Sequence, residues 1–478
     1  MGWTKIPHPK GTGENCGGVL SKDFIVDMEV GRLSSGLPEA KKALDIAVSV
    51  SYWTSVRKRV FDRLVMSAKN PYGGNSLVTL PQILCHGTVT RRTVESLFAT
   101  MCSTKGNRIG TELKTRVKAP DGWKVVGADF DSQEMTVASI YSDCYEGGFI
   151  GCSPFGYNVL SGSKESGTDP HTALARAIMP ELYQGLVWDS KLGVCEKDPS
   201  TGELKPISDA RKKELSEARN LSKVVGFSVL YGSGSKGIQT YIRKVYPEKS
   251  PEEVKKFAER ALSSKKGVRK FEYNERGFKI ADKGYYEGGS DSGCFNYMEK
   301  IALKTEVPTL PCLGTKISTA LRPKVVQKEF ATGRINWTIQ SSGAEILSII
   351  LTSIHWLARE YKIPCRFILS IHDEVWFMTP EKYAEQFAVL FQIAHMYTWS
   401  LFHSQVGIPE LPLSRAYFSS VAIDDRIRKS PKECTVTPSN KDGAEEPNGV
   451  EYSMTELSEL GAVDKLTTRF NAIKKGLI

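Results

Sequence analysis

Two apolar runs, Phe367-Ile-Leu-Ser-Ile371 and Val375-Trp-Phe-Met378, are separated by His372-Asp373-Glu374 alone. Aromatic and β-branched residues of this kind favour strands. So short a polar interval leaves room only for a tight turn, which predicts strand, turn and second strand over residues 366–378. The turn carries Asp373 and Glu374. Trp123-Lys-Val-Val-Gly-Ala-Asp129 reads as another buried strand and ends on a third carboxylate. If these ends meet, two or three acids converge in a partly buried place, costing roughly several kcal/mol unless compensated. Hard oxygen ligands with open positions, facing a phosphate, suit Mg²⁺. Two such ions can activate an attacking oxygen and stabilise a leaving one. Read singly, Asp129 is equally a strand-end cap, and His-Asp-Glu equally a polar hairpin turn.

A second pattern lies in Arg219-Asn-Leu-Ser-Lys223-Val-Val-Gly-Phe227-Ser-Val-Leu-Tyr231. Its two cations and two aromatics recur every fourth residue. On a helix each such step drifts about 40° round the axis, so the four share one stripe. That order suits a ligand with a polyphosphate at one end and a flat base at the other. Leu221, Val224, Val225 and Val229 lie away from most of the stripe and would dock the helix. Alone, the stripe is also compatible with a surface helix whose Arg and Lys snorkel.

At 478 residues, 40% apolar and 25% charged, the chain can bury a full core and form more than one lobe. No run is long and apolar enough to span a bilayer, and the N-terminus reads as neither signal nor transit peptide. A net charge of +10 favours a polyanionic partner. Ten cysteines, scattered without Cys-x-x-Cys, offer no disulfide framework or zinc signature and fit a reducing compartment.

Residues 38–66 and 133–140 read as helical, 67–80 as a Gly/Asn/Pro loop, and Gly87 to Arg92 is followed by a polar loop through Arg108. Residues 176–216 read as a polar segment with a Lys197-Asp-Pro-Ser-Thr-Gly202 turn bounded by helical runs. Residues 251–262 and 337–361 read as helices. After about Arg428 the chain turns polar, a loosely ordered tail whose last helix could dock. No internal repeat is visible.

Val126-Gly-Ala-Asp129-Phe-Asp131-Ser132-Gln133-Glu134, the helix stripe, and Ser370-Ile-His372-Asp373-Glu374 stand in the order of motifs A, B and C of family A DNA polymerases, which this chain resembles. The finer match is to the polymerase half of the mitochondrial branch. It is supported by Gly87 to Arg92, Gly167-Thr-Asp-Pro-His171, Gly288 to Asn296 and Arg334 to Ser342, and runs from near the N-terminus into the tail. The resemblance implies an α/β (α+β) right-hand polymerase, with an antiparallel-sheet palm, mostly helical fingers and a partial thumb. Its divisions fall at 1–76 for an N-terminal segment with the thumb helix, 77–149 and 334–428 for the palm, 150–333 for the fingers, and 429–478 for the tail.

The same resemblance implies roles residue by residue. Asp129 and Asp373, with the Phe130 carbonyl, would bind two Mg²⁺ ions, for which Mn²⁺ may substitute, and Glu374 would sit beside them. Arg219, Lys223 and His171 would grip the triphosphate, Lys223 giving a proton to departing pyrophosphate, with Ser132 near the nucleotide. Phe227 and Tyr231 would face the nucleotide, Tyr231 stacking beside the nascent pair. Glu134 would be a steric gate against a ribose 2′-hydroxyl. Arg92, Asn336 and Gln340 would touch primer–template, and Lys105, Arg108 and Thr332 its backbone. Partners would be primer–template DNA and dNTP, with an accessory subunit, replicative helicase and single-stranded-DNA-binding protein, and no membrane. The location would be the mitochondrial matrix and nucleoid.

Phe227 departs from the usual tyrosine of the mitochondrial branch, residues 172–218 carry an insertion, and Pro170 is unusual before His171. The exonuclease domain and spacer would precede where this chain begins, and Phe24-Ile-Val-Asp27-Met-Glu29 is assigned to structure rather than to an exonuclease. Two other readings stand beside a DNA polymerase: a truncated, non-polymerising DNA-binding fragment, and a single-subunit RNA polymerase, against which Glu134 and Glu374 argue.

Overall fold

A computed structural model describes residues 37–63, 66–69, 74–79, 81–95, 111–198, 201–274, 279–303, 307–326, 331–432 and 447–478. The first helix among the described residues, α1 (Pro38–Arg63), agrees with the predicted run. The expected loop at 67–80 does not: β1 (Met66–Lys69) pairs antiparallel with β2 (Asn75–Val78). The Gly/Pro/Asn signal marked only the middle of a hairpin whose strands are too short and polar to show periodicity.

The centre is a five-stranded antiparallel sheet whose strands run in the order Val450–Tyr452, Val421–Asp424, Trp123–Asp129, Glu374–Pro380 and Arg366–Ile371. β3 (Trp123–Asp129) lies in its middle, and Val125 and Val126, pointing to opposite faces, are both buried. β9 (Arg366–Ile371) and β10 (Glu374–Pro380) form the predicted hairpin, with Ile371 opposite Glu374. The turn therefore has two central residues, and His372 takes φ 56°, the left-handed conformation such a hairpin turn asks for. A non-glycine residue held there stores on the order of 1 kcal/mol.

Helix α2 (Gln133–Glu146) follows β3 and is buried along most of its length. The helical lobe contains α3 (Pro170–Ile178), α4 (Asp209–Leu230), and helices Ser235–Val245 and Pro251–Lys266. α4 docks through Leu221, Val225 and Val229, all nearly inaccessible. Val224, expected among them, is 47% exposed. It falls about 20° from Tyr231 on the helix wheel and goes with the stripe's side rather than with the core.

Between α3 and α4 the expected polar segment is a three-stranded sheet, β4 (Leu186–Asp189), β5 (Gly193–Lys197) and β6 (Leu204–Pro206). It is pinned to α3 by Trp188, whose ring receives the Arg176 guanidinium at 4.2 Å. The ring also lies where a Cβ on Gly167 would have to go. A further hairpin, β7 (Val268–Tyr273) with β8 (Lys279–Glu287), has no counterpart in the sequence reading.

Helix α5 (Ala331–Glu360) runs against α2 and α6 (Ala384–Val406). Phe387 and Phe391 of α6 meet Phe377 of β10, ring edge to ring face. The described residues 447–478 of the expected tail are more ordered than its composition suggested. β12 (Val450–Tyr452) pairs with β11 (Val421–Asp424) at the sheet edge. Leu457, Ala462 and Leu466 are buried. An antiparallel sheet carrying a helical lobe is the right-hand architecture the resemblance implied.

Candidate active site

Asp129 closes β3 and Glu374 opens β10, and the two are directly opposite in the ladder. Asp373 occupies the turn beside them, its carbonyl accepting the Phe130 N–H at 3.1 Å. The Phe130 ring is buried among His395, Trp399 and Phe418, which anchors the backbone behind Asp129. Asp129 opens onto the cleft while protein packs around its base. This partial desolvation first, then the charges of Asp373 and Glu374, push its carboxyl up to about 7. Burial, then Glu134, push Asp373 up to about 6. Two acids so destabilised as anions are a place for cations.

Among the described residues, no three His, Cys, Asp or Glu side chains gather into a preformed metal cage. Two carboxylates with open positions fit Mg²⁺, which keeps waters and shares its shell with substrate phosphates. Glu374 is otherwise engaged. Lys114 Nζ donates to its Oε2 at 2.7 Å and its Oε1 at 2.9 Å, and Trp376 Nε1 also donates to Oε1.

Beyond Asp131 the cleft is lined by Ser132, His171, Arg219, Lys223 and Arg415. Asp169 caps α3, accepting the N–H of His171 at 3.1 Å and of Thr172 at 3.3 Å. Pro170 fills the first helical position, where its missing N–H is not needed. The unusual Asp-Pro-His run is thus a cap that holds His171 at the cleft. Burial lowers His171 to about 4, so its ring is neutral at physiological pH. Arg219 is salt-bridged to Asp169 at 2.9 Å, and Lys223 is exposed.

Toward the end of α4, Phe227 lies 6.0 Å from the His171 ring and 6.2 Å from Tyr231. The Tyr231 hydroxyl meets Glu134 Oε1 at 3.3 Å, and Arg92 Nη2 reaches the same oxygen at 2.9 Å. Burial and the Glu134 charge push the phenol up. Gly232 (φ 88°) abuts Thr332, with no space for a Cβ. Thr332, Asn336 and Gln340 fall on one face of α5, and among the described residues no partner meets the buried Asn336 Oδ1. Lys105 and Arg108, and Phe24 to Glu29, lie outside the described residues.

The chain is 30% identical over 527 residues to DNA polymerase subunit gamma-1 of Gallus gallus, covering 96% of this chain and 75% of that protein. The chain belongs to DNA polymerase family A. The family's model, "DNA polymerase family A", matches residues 206–406. Identity is 34% over 470 residues to DNA polymerase gamma of Saccharomyces cerevisiae, covering 95% of this chain. It is 33% over 473 residues to DNA polymerase subunit gamma-1 of Xenopus laevis, covering 93% of this chain. The chain spans 34% and 38% of the length of these two relatives.

Several residues of this family A site escaped sequence reading. Asp169 had a legible signal, a cap acid followed by Pro. Asp131, which accepts from Ser419 N and Oγ at 3.2 Å, was quoted in the motif without a role. Lys114, Arg415 and Lys429 had none. Arg415 is buried beside the cleft, donating to Ser139 at 3.3 Å, and Lys429 shares the carboxylate cavity and draws the Asp129 carboxyl down.

Proposed function

We propose that the chain is a template-directed DNA polymerase, extending a primer 3′-hydroxyl with dNTPs by two-metal-ion nucleotidyl transfer. The observation that carries this reading is that the cavity of Asp129 and Asp373 and the cavity lined by His171, Arg219 and Lys223 meet at Asp131, while Tyr231, further along α4, reaches Glu134. Arg219, Lys223 and neutral His171 hold the triphosphate, and Lys223, exposed in the cleft, gives a proton to departing pyrophosphate. Asp129, Asp373 and the Phe130 carbonyl would hold divalent ions, which would supply activation of the primer hydroxyl and charge stabilisation at the leaving oxygen. Catalysis by the protein itself is positioning and charge stabilisation.

Glu134, braced by Tyr231 and Arg92, closes the space a 2′-hydroxyl would need. Arg92, Asn336 and Gln340 contact the primer–template, with Thr332, Lys105 and Arg108 on its backbone. The chain works on mitochondrial DNA, as the names of its relatives support. In this setting the partners are an accessory subunit, a replicative helicase and a single-stranded-DNA-binding protein. The reading keeps the palm at 77–149 and 334–428, the fingers at 150–333, a partial thumb within 1–76 and a tail at 429–478, whose β12 pairs with β11 in the central sheet.

The test is extension of a primed template with Mg²⁺ or Mn²⁺, using deoxy- or ribonucleotides, beside an Asp373→Ala control. Extension with dNTPs that Asp373→Ala abolishes is expected. Binding of the template with no extension would favour a non-polymerising fragment, and preference for ribonucleotides an RNA polymerase.

A further inference from the structure

Lys114 is 0% exposed, yet among the described residues the one charge it meets in its hydrogen bonds is the Glu374 carboxylate beside the metal-binding acids. Buried ion pairs seldom stabilise a fold more than apolar residues of the same volume. Stability alone is therefore a poor reason for a lysine here.

The pair is built from several sides. Lys114 sits on a short helical turn, Thr111–Arg116. The backbone just after it is tied down by Ile427 N–H to Val117 O at 3.1 Å and Ala119 N–H to Asp425 O at 2.8 Å. Leu113, Val117 and Ala119 pack on the small core of Val125, Leu369, Ile371, Trp376 and Ile427. Trp376 lies across Gly127, where any Cβ would collide with the indole, and from there its N–H reaches Glu374.

A carboxylate has about four lone-pair positions. Two on Oε1 are taken by Lys114 and Trp376, and one on Oε2 by Lys114. Glu374 is thus held in place while its neighbours Asp129 and Asp373 remain open.

We propose that Lys114 is a positioning residue that holds Glu374 out of metal coordination, so that Asp129 and Asp373 alone present carboxylates to the ions. This rests on the polymerase reading for its consequence in catalysis, but not for its effect on metal binding. Without the ammonium, Glu374 is a free acid next to two others. It turns toward the ions, which then bind more tightly and in the wrong shell.

The experiment compares wild type, Lys114→Met and Lys114→Met/Glu374→Gln. Mn²⁺ affinity is measured by electron paramagnetic resonance, and kcat and KM by primer extension. Lys114→Met is expected to bind Mn²⁺ about tenfold more tightly while kcat falls roughly 10- to 100-fold. Its KM for dNTP stays near that of wild type. The double variant, whose amide carries no charge, returns Mn²⁺ affinity to the wild-type range. Unchanged or weakened Mn²⁺ binding by Lys114→Met overturns the proposal, as does tight binding that persists in the double variant. A wild type that extends no primer defeats the polymerase reading, and the Mn²⁺ series still decides the role of Lys114.

Discussion

The Tyr231 hydroxyl reaches Glu134 Oε1 at 3.3 Å, joining the end of α4 to the start of α2 across the cleft. Arg92 holds the same oxygen at 2.9 Å. A side chain fixed from two directions cannot swing aside to admit a larger sugar. Glu134→Ala should raise incorporation of ribonucleotides relative to deoxynucleotides by about tenfold or more. It should also lower kcat, because Tyr231 and Arg92 lose their shared acceptor. Unchanged sugar selectivity in single-nucleotide insertion would remove Glu134 from the role of gate.

Phe227 supplies a ring without a hydroxyl where the mitochondrial branch usually has tyrosine. It packs near His171 and Tyr231, with Gly226 behind it against Leu174. Phe227→Tyr should increase chain termination by dideoxynucleotides with little change in dNTP use. Equal termination by wild type and variant would show that the phenol does not govern the choice.

Asp169 serves two partners, the start of α3 and Arg219. Asp169→Ala removes both supports. It should cost about 1–2 kcal/mol in denaturant unfolding and raise KM for dNTP, because His171 and Arg219 both lose their placement. Asp169→Asn keeps an acceptor for the α3 amides and should lose less of each. Equal losses in the two variants would argue that the charge, not the cap, is what matters.

Asp129 is pushed up to about 7 when no cation is present. Its folded-state pKa exceeds that of the unfolded chain, so the folded protein binds the extra proton. The associated stability is fully present below about pH 4 and lost as pH rises through about 7. In EDTA, Asp129→Asn should melt above wild type at pH 8, the difference closing as pH falls toward about 4. The variant should not extend primers. A constant difference in melting temperature across that range would mean that Asp129 ionises as freely as in water.

The strands that carry the acids were legible because their apolar runs are continuous and end abruptly on Asp129 and at His372. The helix stripe was legible because four side chains repeat at helical spacing. The sheet between α3 and α4 was not, since its strands span only 4, 5 and 3 residues and alternate too briefly to show a period. Lys114 lay beyond sequence reasoning for a different reason. Its partner is 260 positions away, and nothing local distinguishes a buried lysine from a solvated one. Val224 sits between the two sides, about 20° from Tyr231 and about 60° from Leu221 on the wheel, so its angle alone does not decide which side it joins.

Among the described residues β12 joins the sheet through β11 alone, so this late segment seals an edge that would otherwise be bare. Ser420 Oγ fastens it by donating to Glu451 at 3.1 Å. Without that cover, Val421–Asp424 would offer a row of unpaired amides and carbonyls to any neighbouring molecule. The far C-terminus therefore decides solubility as well as shape. A protein shortened before Val450 should self-associate, even though every residue of the cleft except Glu451 remains in its chain.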